Sequence, residues 1–251
     1  MPNVPLTTDD LFQHIIKIGI DIHPSIELDV EGTRLSIFFE EAKNACPHLV
    51  DRIISSDTEF VLSKTFSVKQ GAAKMSVPTF AMTGRGPVFI FPILLPPPGG
   101  DTGLEASWEE DFTKMRQLFA HAIPGRDYIR CGLVRELLFN TADDRCSDCI
   151  STLDAFAGAD LVGGNSRRVY KDGQYNNNIT ITTVEIASKK QLAAGPTVRE
   201  DVGFGLKIDL DVNNIDLRTL NEDDVNDIIE RANSLWPDTL LEYIEAASKK
   251  Q

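Results

Sequence analysis

Cys146 and Cys149 are the two side chains whose spacing points most directly to chemistry. They form a Cys-Ser-Asp-Cys motif between a predicted strand and a predicted helix. The N-terminus of a helix lowers the pKa of a thiol, which favours thiol-dependent redox catalysis. Asp143, Asp144 and Asp148 oppose a thiolate there. We therefore prefer the alternative, two incidental cysteines at the start of a helix, and keep a redox enzyme as a hypothesis.

Arginines and one tyrosine in the middle of the chain form a candidate binding surface. Tyr128, Arg130 and Arg135 lie on one predicted strand, and Arg167 and Arg168 lie in a Gly- and Asn-rich segment. Guanidinium groups that converge bind a carboxylate, a phosphate or an acidic partner. The alternative is ion pairing with neighbouring acids, which is the more common role of surface arginines.

Other catalytic and metal-binding patterns are weak. Cys46 and His48 are two residues apart, but the chain has no second Cys-x-x-Cys and no histidine pair at ligand spacing, so we predict no metal site. The sequence contains no Gly-x-Ser-x-Gly motif and no phosphate-binding loop, and it indicates no cofactor. Acidic residues are too abundant for a catalytic pair to be singled out. A hydrolase whose dispersed acids and histidines meet only in the folded chain therefore remains a hypothesis.

The charge balance limits the classes of partner. The formal net charge is −13 in a chain of 251 residues, of which 25% are charged and 42% hydrophobic. This balance argues against binding to nucleic acid or to an anionic membrane surface, since both attract basic proteins. No apolar run approaches the ~20 residues of a membrane span, and the N-terminus lacks the pattern of a signal peptide. We expect a cytoplasmic protein with reduced thiols.

The stretch from Arg126 to Asn140 is predicted to be the central strand. Ile129, Cys131, Leu133, Leu137 and Phe139 share one parity, which is typical of a half-buried strand. Arg135 interrupts this apolar parity, so a bend or bulge near it is expected. A helix through Ile129, Leu133 and Leu137 is the alternative.

Helices and strands alternate in blocks on both sides of this strand. The N-terminal elements are predicted as a helix over 7–19, a hairpin over 26–38, a short helix from Pro47 with Ile53 and Ile54 inward, and strands over 60–68, 75–81 and 88–95. The later elements are predicted as a helix from Ser107, a helix over 147–157, a loop or irregular hairpin over 163–178, strands over 179–186 and 202–212, and a helix from about 222 that Pro237 interrupts. Ser107 with Glu110 and Thr219 with Glu222 have capping-box spacing.

These elements predict an α+β fold: a mostly antiparallel, curved sheet with helices packed on one face. Residues 96–106 form a Pro- and Gly-rich linker between an N-terminal half, 1–95, and a C-terminal half, 107–251. The two halves share the order helix, strand or hairpin, short helix, three strands. Two similar α–β halves are therefore a hypothesis that rests on element order alone.

Two motifs resemble a sporadically distributed, uncharacterised bacterial protein family of about 250 residues. Residues 130–135, Arg-Cys-Gly-Leu-Val-Arg, ending at Asn140, are similar to an Arg-x-Gly-Leu-Arg strand. Residues 206–212, Leu-Lys-Ile-Asp-Leu-Asp-Val, are similar to a Leu-Asp-Ile-Asp strand before an acidic-capped helix. The match departs at Val134 and Glu136 and covers about a third of the chain. The family has no assigned activity, so the resemblance implies no site.

The sequence thus favours a non-catalytic, cytoplasmic binding or interaction protein over a redox enzyme or a hydrolase. We expect a protein partner or self-association, for instance as a homodimer, with a small anionic ligand as the alternative.

Overall fold

The structure is a computed structural model, and it describes residues 8–25, 32–55, 60–67, 74–83, 85–95, 101–124, 127–140, 165–191 and 197–248. Its helices are α1 (Thr8–Phe12), α2 (Gly32–Ala45), α3 (Trp108–Ala122) and α4 (Glu222–Ser248). Its strands are β1 (Ile15–Pro24), β2 (Arg52–Ser55), β3 (Phe60–Ser67), β4 (Lys74–Thr83), β5 (Gly86–Pro92), β6 (Tyr128–Asn140), β7 (Asn165–Asp172), β8 (Tyr175–Gln191) and β9 (Thr197–Asn214).

The strands form one antiparallel sheet in the order β2-β3-β4-β5-β1-β6-β9-β8-β7. The predicted α+β class and the antiparallel sheet are confirmed. The strands that precede the predicted linker, β1 to β5, lie together in one part of the sheet, and the later strands, β6 to β9, lie together in the other. The two groups meet where β1 pairs with β6. In each group the first strand pairs with the last one, β1 with β5 and β6 with β9. A duplication of two halves stays a prediction.

The four described helices pack on one face of the sheet. Rings of α2 and α3 contact the sheet through Phe38–Phe80, Phe89–Phe112 and Phe91–Trp108. Helix α4 joins this layer through Trp236, whose ring meets Phe12 of α1 at 4.8 Å. The core therefore lies between this helical layer and one face of the sheet.

The central strand β6 is confirmed, and the helix alternative is wrong. Cys131, Leu133, Leu137 and Phe139 are fully buried on the helix-covered face, as the parity predicts. Pairing with β1 and β9 on its two sides gives β6 the partners that hold it extended. The strands predicted over 60–68, 75–81, 88–95, 179–186 and 202–212 are also present as β3, β4, β5, β8 and β9.

Two predictions for the N-terminal region are wrong. The helix predicted over 7–19 ends at Phe12, and residues from Ile15 form β1, where Ile18, Ile20 and Ile22 alternate into the core. β-branched side chains favour this extended conformation. The hairpin predicted over 26–38 is replaced, from Gly32, by α2, whose buried residues Leu35, Phe38 and Ala42 have helical spacing. Residues 26–31 lie outside the described part.

The short helix predicted after Pro47 is a turn followed by the edge strand β2. Leu49 and Val50 are buried as expected, but Ile53 is 37% exposed and Ile54 55% exposed. An edge strand has a neighbour on one side alone, so its side chains are less covered than those of an inner strand. The irregular hairpin predicted over 163–178 is a regular β7–β8 pair that turns at Gly173, where φ is +57°.

The helix termini differ from the predicted capping boxes. Ser107 makes no capping hydrogen bond, and its hydroxyl donates to Asp111 at 2.8 Å. Helix α4 is capped by Asn221 and Asp224, whose side chains accept hydrogen bonds from each other's backbone N–H at 2.9 and 2.8 Å. Pro237 lies inside α4 and does not end it. The helix predicted over 147–157 lies outside the described residues.

Candidate functional site

The second face of the sheet, opposite the four described helices, is called the outer face here. One residue from each strand, in register, defines a row across it. In sheet order, this cross-sheet row consists of Ile54, Val61, Ala81, Val88, Asp21, Gly132, Asn213, Asn176 and Lys171. The first four residues are apolar, whereas Asp21 and the three residues beyond Gly132 are polar or charged, so the row changes character at Asp21.

Gly132 lies at the centre of a polar cluster formed by Asp21, His23, Arg130, Asp211 and Asn213. An ideal Cβ at position 132 would lie 2.8 Å from Asp21 Oδ1 and 3.2 Å from Asp211 Oδ1. The absence of a side chain at Gly132 therefore lets a carboxylate from β1 and one from β9 meet above β6.

Asp211 is held by amide groups. Nδ2 of Asn213 donates to both of its carboxylate oxygens at 3.0 Å, and Nδ2 of Asn178 donates to Oδ2 at 3.2 Å. Arg167 extends this network, because its guanidinium donates to Oδ1 of Asn178 at 3.0 Å. Burial raises the pKa of Asp211, the bond from Asn213 lowers it, and the neighbouring Asp21 raises it further.

His23 and Asp21 form a pair with 2.8 Å between Nε2 and Oδ2. His23 also lies opposite Arg130 in the β1–β6 register. An acid–histidine pair of this geometry can orient an imidazole as a proton acceptor. His48 with Asp111 and His121 with Glu41 form comparable pairs elsewhere in the fold.

A second cluster of charged side chains lies on the same face, beside Asp209, which precedes Asp211 by two residues on β9. Lys17 pairs with Glu136, and Lys207 bridges Glu136 at 3.7 Å and Asp209 at 3.3 Å. Burial raises the pKa of Asp209, while Lys207 lowers it. Among the described residues, Oδ1 of Asp209 and Nε of Arg130 are buried atoms without a hydrogen-bond partner.

The structure separates the arginines of the predicted binding surface. Arg130 and Arg167 both lie on the outer face, and both act electrostatically on Asp211. Arg168 occupies the register position opposite Ile179, and its backbone alone is described. Tyr128 is partly buried against the core, and its carbonyl accepts from Leu220 N–H at 2.7 Å.

Arg135 lies on the helix-covered face, away from Arg130. It is 4% exposed, donates to the carbonyl of Ala232 and to Asn233, and lies 5.9 Å from the ring of Trp108 and 5.1 Å from that of Trp236. Burial lowers its pKa to about 9, so the guanidinium remains charged at neutral pH. Arg135 thus stabilises the contact between β6 and the helices, and we leave it out of the binding surface.

The cysteines divide into two groups. Cys146 and Cys149 lie outside the described residues, so the redox hypothesis stays a prediction. Cys46 and Cys131 are fully buried, and burial raises the pKa of both thiols. They behave as small apolar core residues, as expected for cysteines that are not reactive.

Two of the cavities that described residues line lie away from the polar cluster. The first has a volume of about 60 Å³ and lies between Tyr175, Arg218 and Asp224. The second is an open hollow at the other end of the sheet, beside Arg52, Lys74 and Ser76. In the part of the chain that the structure describes, no group of three or more His, Cys, Asp or Glu residues is arranged to hold a metal ion.

The residues that the sequence analysis missed are Asp21, His23, Asp211 and Asn213. A signal for them exists in two alternating patterns, Lys17-x-Gly19-x-Asp21-x-His23 and Lys207-x-Asp209-x-Asp211-x-Asn213. In a half-buried strand the residues between the apolar positions share the other face, so both patterns place their polar residues on one surface.

Comparison with known proteins adds no identification. No protein-family model matches the chain, and a search of curated proteins finds no significant similarity. The resemblance to the bacterial family therefore stays a prediction. None of the helices within the described ranges combines the length and the apolar character that a membrane crossing requires.

Proposed function

We propose that this chain is a cytoplasmic, non-catalytic binding protein that holds a protein partner on the outer face of its sheet. The observation that carries the proposal is the cross-sheet row, in which half-buried apolar residues such as Val88 continue directly into Asp21 and the polar cluster. Protein interfaces combine an apolar centre with a polar, arginine-containing rim in the same way. A surface with one such continuous row offers both parts to one partner.

The dimensions of the face favour a protein over a small molecule. Nine strands at a spacing of about 4.8 Å give a row about 38 Å long. A stable protein interface buries about 800 Å² on each partner, which a surface of this length can provide. Small ligands instead prefer concave sites that enclose most of their surface. A small anion held by Arg130 and Arg167 is the alternative ligand.

The test is affinity capture with matched variants. The double variant Arg130→Ala/Arg167→Ala is compared with Arg34→Ala/Arg85→Ala, which removes two exposed arginines away from the polar cluster. We expect a stoichiometric partner with the wild type and the control pair, and its loss with the outer-face pair. Equal capture by both double variants would contradict the proposal.

A hydrolase is the second candidate, because the structure brings Asp21, His23 and Asp211 together. In this role His23, oriented by Asp21, would accept a proton from the attacking water and then donate it to the leaving group. Hydrolysis of ester and phosphoester substrates by the wild type, and its loss in His23→Gln, would support this candidate. Turnover that is the same in both proteins would exclude His23 from it.

A further inference from the structure

Strand β2 forms one edge of the sheet and is shorter than the strand with which it pairs. Its four residues, Arg52–Ser55, pair with residues 60–63 of β3, whereas β3 continues to Ser67. Strand β4 accompanies β3 over its whole length, as far as the pair of Ser67 with Lys74. The edge of the sheet therefore has a step, where β2 ends and β3 and β4 continue without a further described strand beside them.

The step forms an open hollow on the outer face. The volume of the hollow is about 530 Å³. Its lining consists of Asp51, Arg52, Thr65, Lys74 and Ser76. Residues two apart in a strand share a face, so Arg52 points to the same side as Ile54 of the cross-sheet row. Thr65 faces Ser76 in the register of β3 and β4, which places both on that side as well.

The hollow is positively charged although the protein is acidic. The carboxylate of Asp51 accepts hydrogen bonds from the backbone N–H and the hydroxyl of Thr65 at 3.1 and 3.3 Å and lies 3.6 Å from Nζ of Lys64, which balances its charge. Arg52 and Lys74 are exposed, and neither forms an ion pair with another described residue. These two cations can therefore attract an anionic group.

The free side of β2 offers hydrogen bonds in addition to charge. Among the described strands, β2 pairs with β3 alone, so the backbone groups on its other side have no strand partner. Such an edge is a template for a strand from another chain. Ile53 and Ile54 lie on the two faces of β2 and are both exposed, and an added strand would cover them.

The alternative is that Arg52 prevents strand addition, since charged residues on short edge strands commonly have this role. Two exposed isoleucines on the same four residues oppose that alternative, because they leave apolar surface in water. The other edge strand, β7, lacks this combination in its described side chains. Its Arg167 donates to Asn178, and its Asp172 pairs with Arg231 of α4. The edge of β2 is therefore the better site for an added strand.

We propose that the edge of β2 binds an extended, acidic segment of a partner protein, which adds a strand to the sheet and extends its carboxylates into the hollow. Antiparallel addition continues the pattern of the whole sheet. In that direction the segment passes Ile54, then Ile53, then Arg52 and finally the hollow beside Lys74. Directly opposite residues of a strand pair are in contact, so the recognised sequence has two apolar residues followed by acidic ones.

This site is separate from the polar cluster. Strand β2 lies four strands from β1, which contains Asp21, and this corresponds to about 19 Å across the sheet. The proposal does not rest on the function proposed for the polar cluster, and each can fail without the other.

The experiment is a fluorescence-anisotropy titration with labelled synthetic peptides. The acidic probe is Ser-Thr-Val-Val-Glu-Thr-Glu-Glu, and the basic probe has lysine in place of each glutamate. Two further probes have the acidic sequence with methyl groups on alternate backbone amides, one probe for each alternate set. The variant Arg52→Glu/Lys74→Glu is compared with Arg34→Glu/Arg85→Glu, which makes the same change of charge at exposed positions elsewhere. Circular dichroism establishes that both variants are folded.

We expect saturable binding of the acidic probe by the wild type and by the control variant. Arg52→Glu/Lys74→Glu should weaken this binding at least about tenfold, because attraction of the glutamates becomes repulsion. About 1 M salt should also weaken binding by the wild type, and the basic probe should not bind. One methylated probe should bind like the unmethylated one and the other should not, because an antiparallel strand bonds to its neighbour through every second residue.

Three results would overturn the proposal: no saturable binding of the acidic probe, equal binding by Arg52→Glu/Lys74→Glu, or equal affinities of the two methylated probes. Arg130→Ala/Arg167→Ala should bind the acidic probe as the wild type does. This last variant distinguishes a failure at β2 from a failure of the function proposed for the polar cluster.

Discussion

The carboxylate of Asp21 lies directly over Gly132, so that a Cβ at position 132 would be 2.8 Å from Asp21 Oδ1. Asp211 Oδ1 lies 3.2 Å from the same point. Two acidic residues from β1 and β9 thus share the space above β6 that a side chain would otherwise fill. The polar cluster depends on this missing side chain as much as on the charged residues around it.

Gly132→Ala should disrupt the polar cluster, because the new methyl group would displace Asp21 and Asp211. We expect a loss of about 1–3 kcal/mol in the free energy of unfolding, as for other overpacked sites, together with weaker capture of the partner. Gly19→Ala is the matched control, since its Cβ would meet nothing nearer than the carbonyl of Val134 at 4.0 Å. Urea denaturation of both variants tests this. Equal stabilities would show that the carboxylates do not depend on Gly132.

Truncation of Arg135 should affect the stability of the fold, whereas truncation of Arg130 should affect binding of the partner. Arg135→Ala removes a buried side chain from between two tryptophans, and we expect it to lower the free energy of unfolding by about 3 kcal/mol. Arg130→Ala should change stability by less than about 1 kcal/mol and instead weaken partner capture. Arg135→Met, which refills most of the volume without the charge, should recover much of the loss. Urea denaturation decides, and a fully stable Arg135→Ala would rule out the structural role.

Asn221→Ala should lower the free energy of unfolding by about 1 kcal/mol, because it removes the N-terminal cap of α4. Thr219→Ala is the control, since Thr219 is exposed and lies before the cap. The sequence pattern predicted the reverse, with Thr219 as the capping residue. Thermal or urea denaturation of the two variants separates the alternatives, and a larger effect of Thr219→Ala would favour the sequence-based one.

Asp211→Asn should stabilise the protein at neutral pH. The pKa of Asp211 is raised above its ordinary 3.8, so the carboxylate of Asp211 binds a proton more tightly in the folded state than in the unfolded state. The charged carboxylate consequently lowers stability once the pH exceeds the raised pKa, and this penalty disappears below pH 3.8. The gain from Asp211→Asn should therefore shrink as the pH falls. Asp223→Asn, at an exposed site, provides the control, and a gain that persists unchanged at low pH would contradict this account.

The spacing of apolar residues predicted an element correctly where it followed one period alone, either that of a strand or that of a helix. β6 and β9 alternate over their whole described cores, and Phe112, Met115 and Phe119 of α3 have helical spacing. The pattern misled where two periods overlap. Leu11 and Ile15 have helical spacing, but the chain changes to a strand between them. Leu35 and Ile37 suggest alternation, whereas the buried set of α2 is Leu35, Phe38 and Ala42.

The candidate site shows a similar division. Arg130 and Arg167 were identified from the sequence, but their neighbours on the outer face were not. Asp21 and Asp211 lie 190 positions apart and meet because β1 and β9 both pair with β6. Such pairings depend on the strand order, which the local pattern of one strand does not determine. For the same reason the sequence could not show that Trp108 and Trp236 would enclose Arg135.

The central claim is that the outer face binds a protein partner, and site-specific photo-crosslinking in native lysate tests it most directly. A photoreactive residue is placed at Val88 or Val134, on the outer face beside the polar cluster, or at exposed Gln117 on α3. We predict one crosslinked partner from Val88 and Val134 that is absent from Gln117 and lost when Arg130→Ala/Arg167→Ala is added. Crosslinks from Gln117 alone, or none from either outer-face position, would contradict the assignment of this surface.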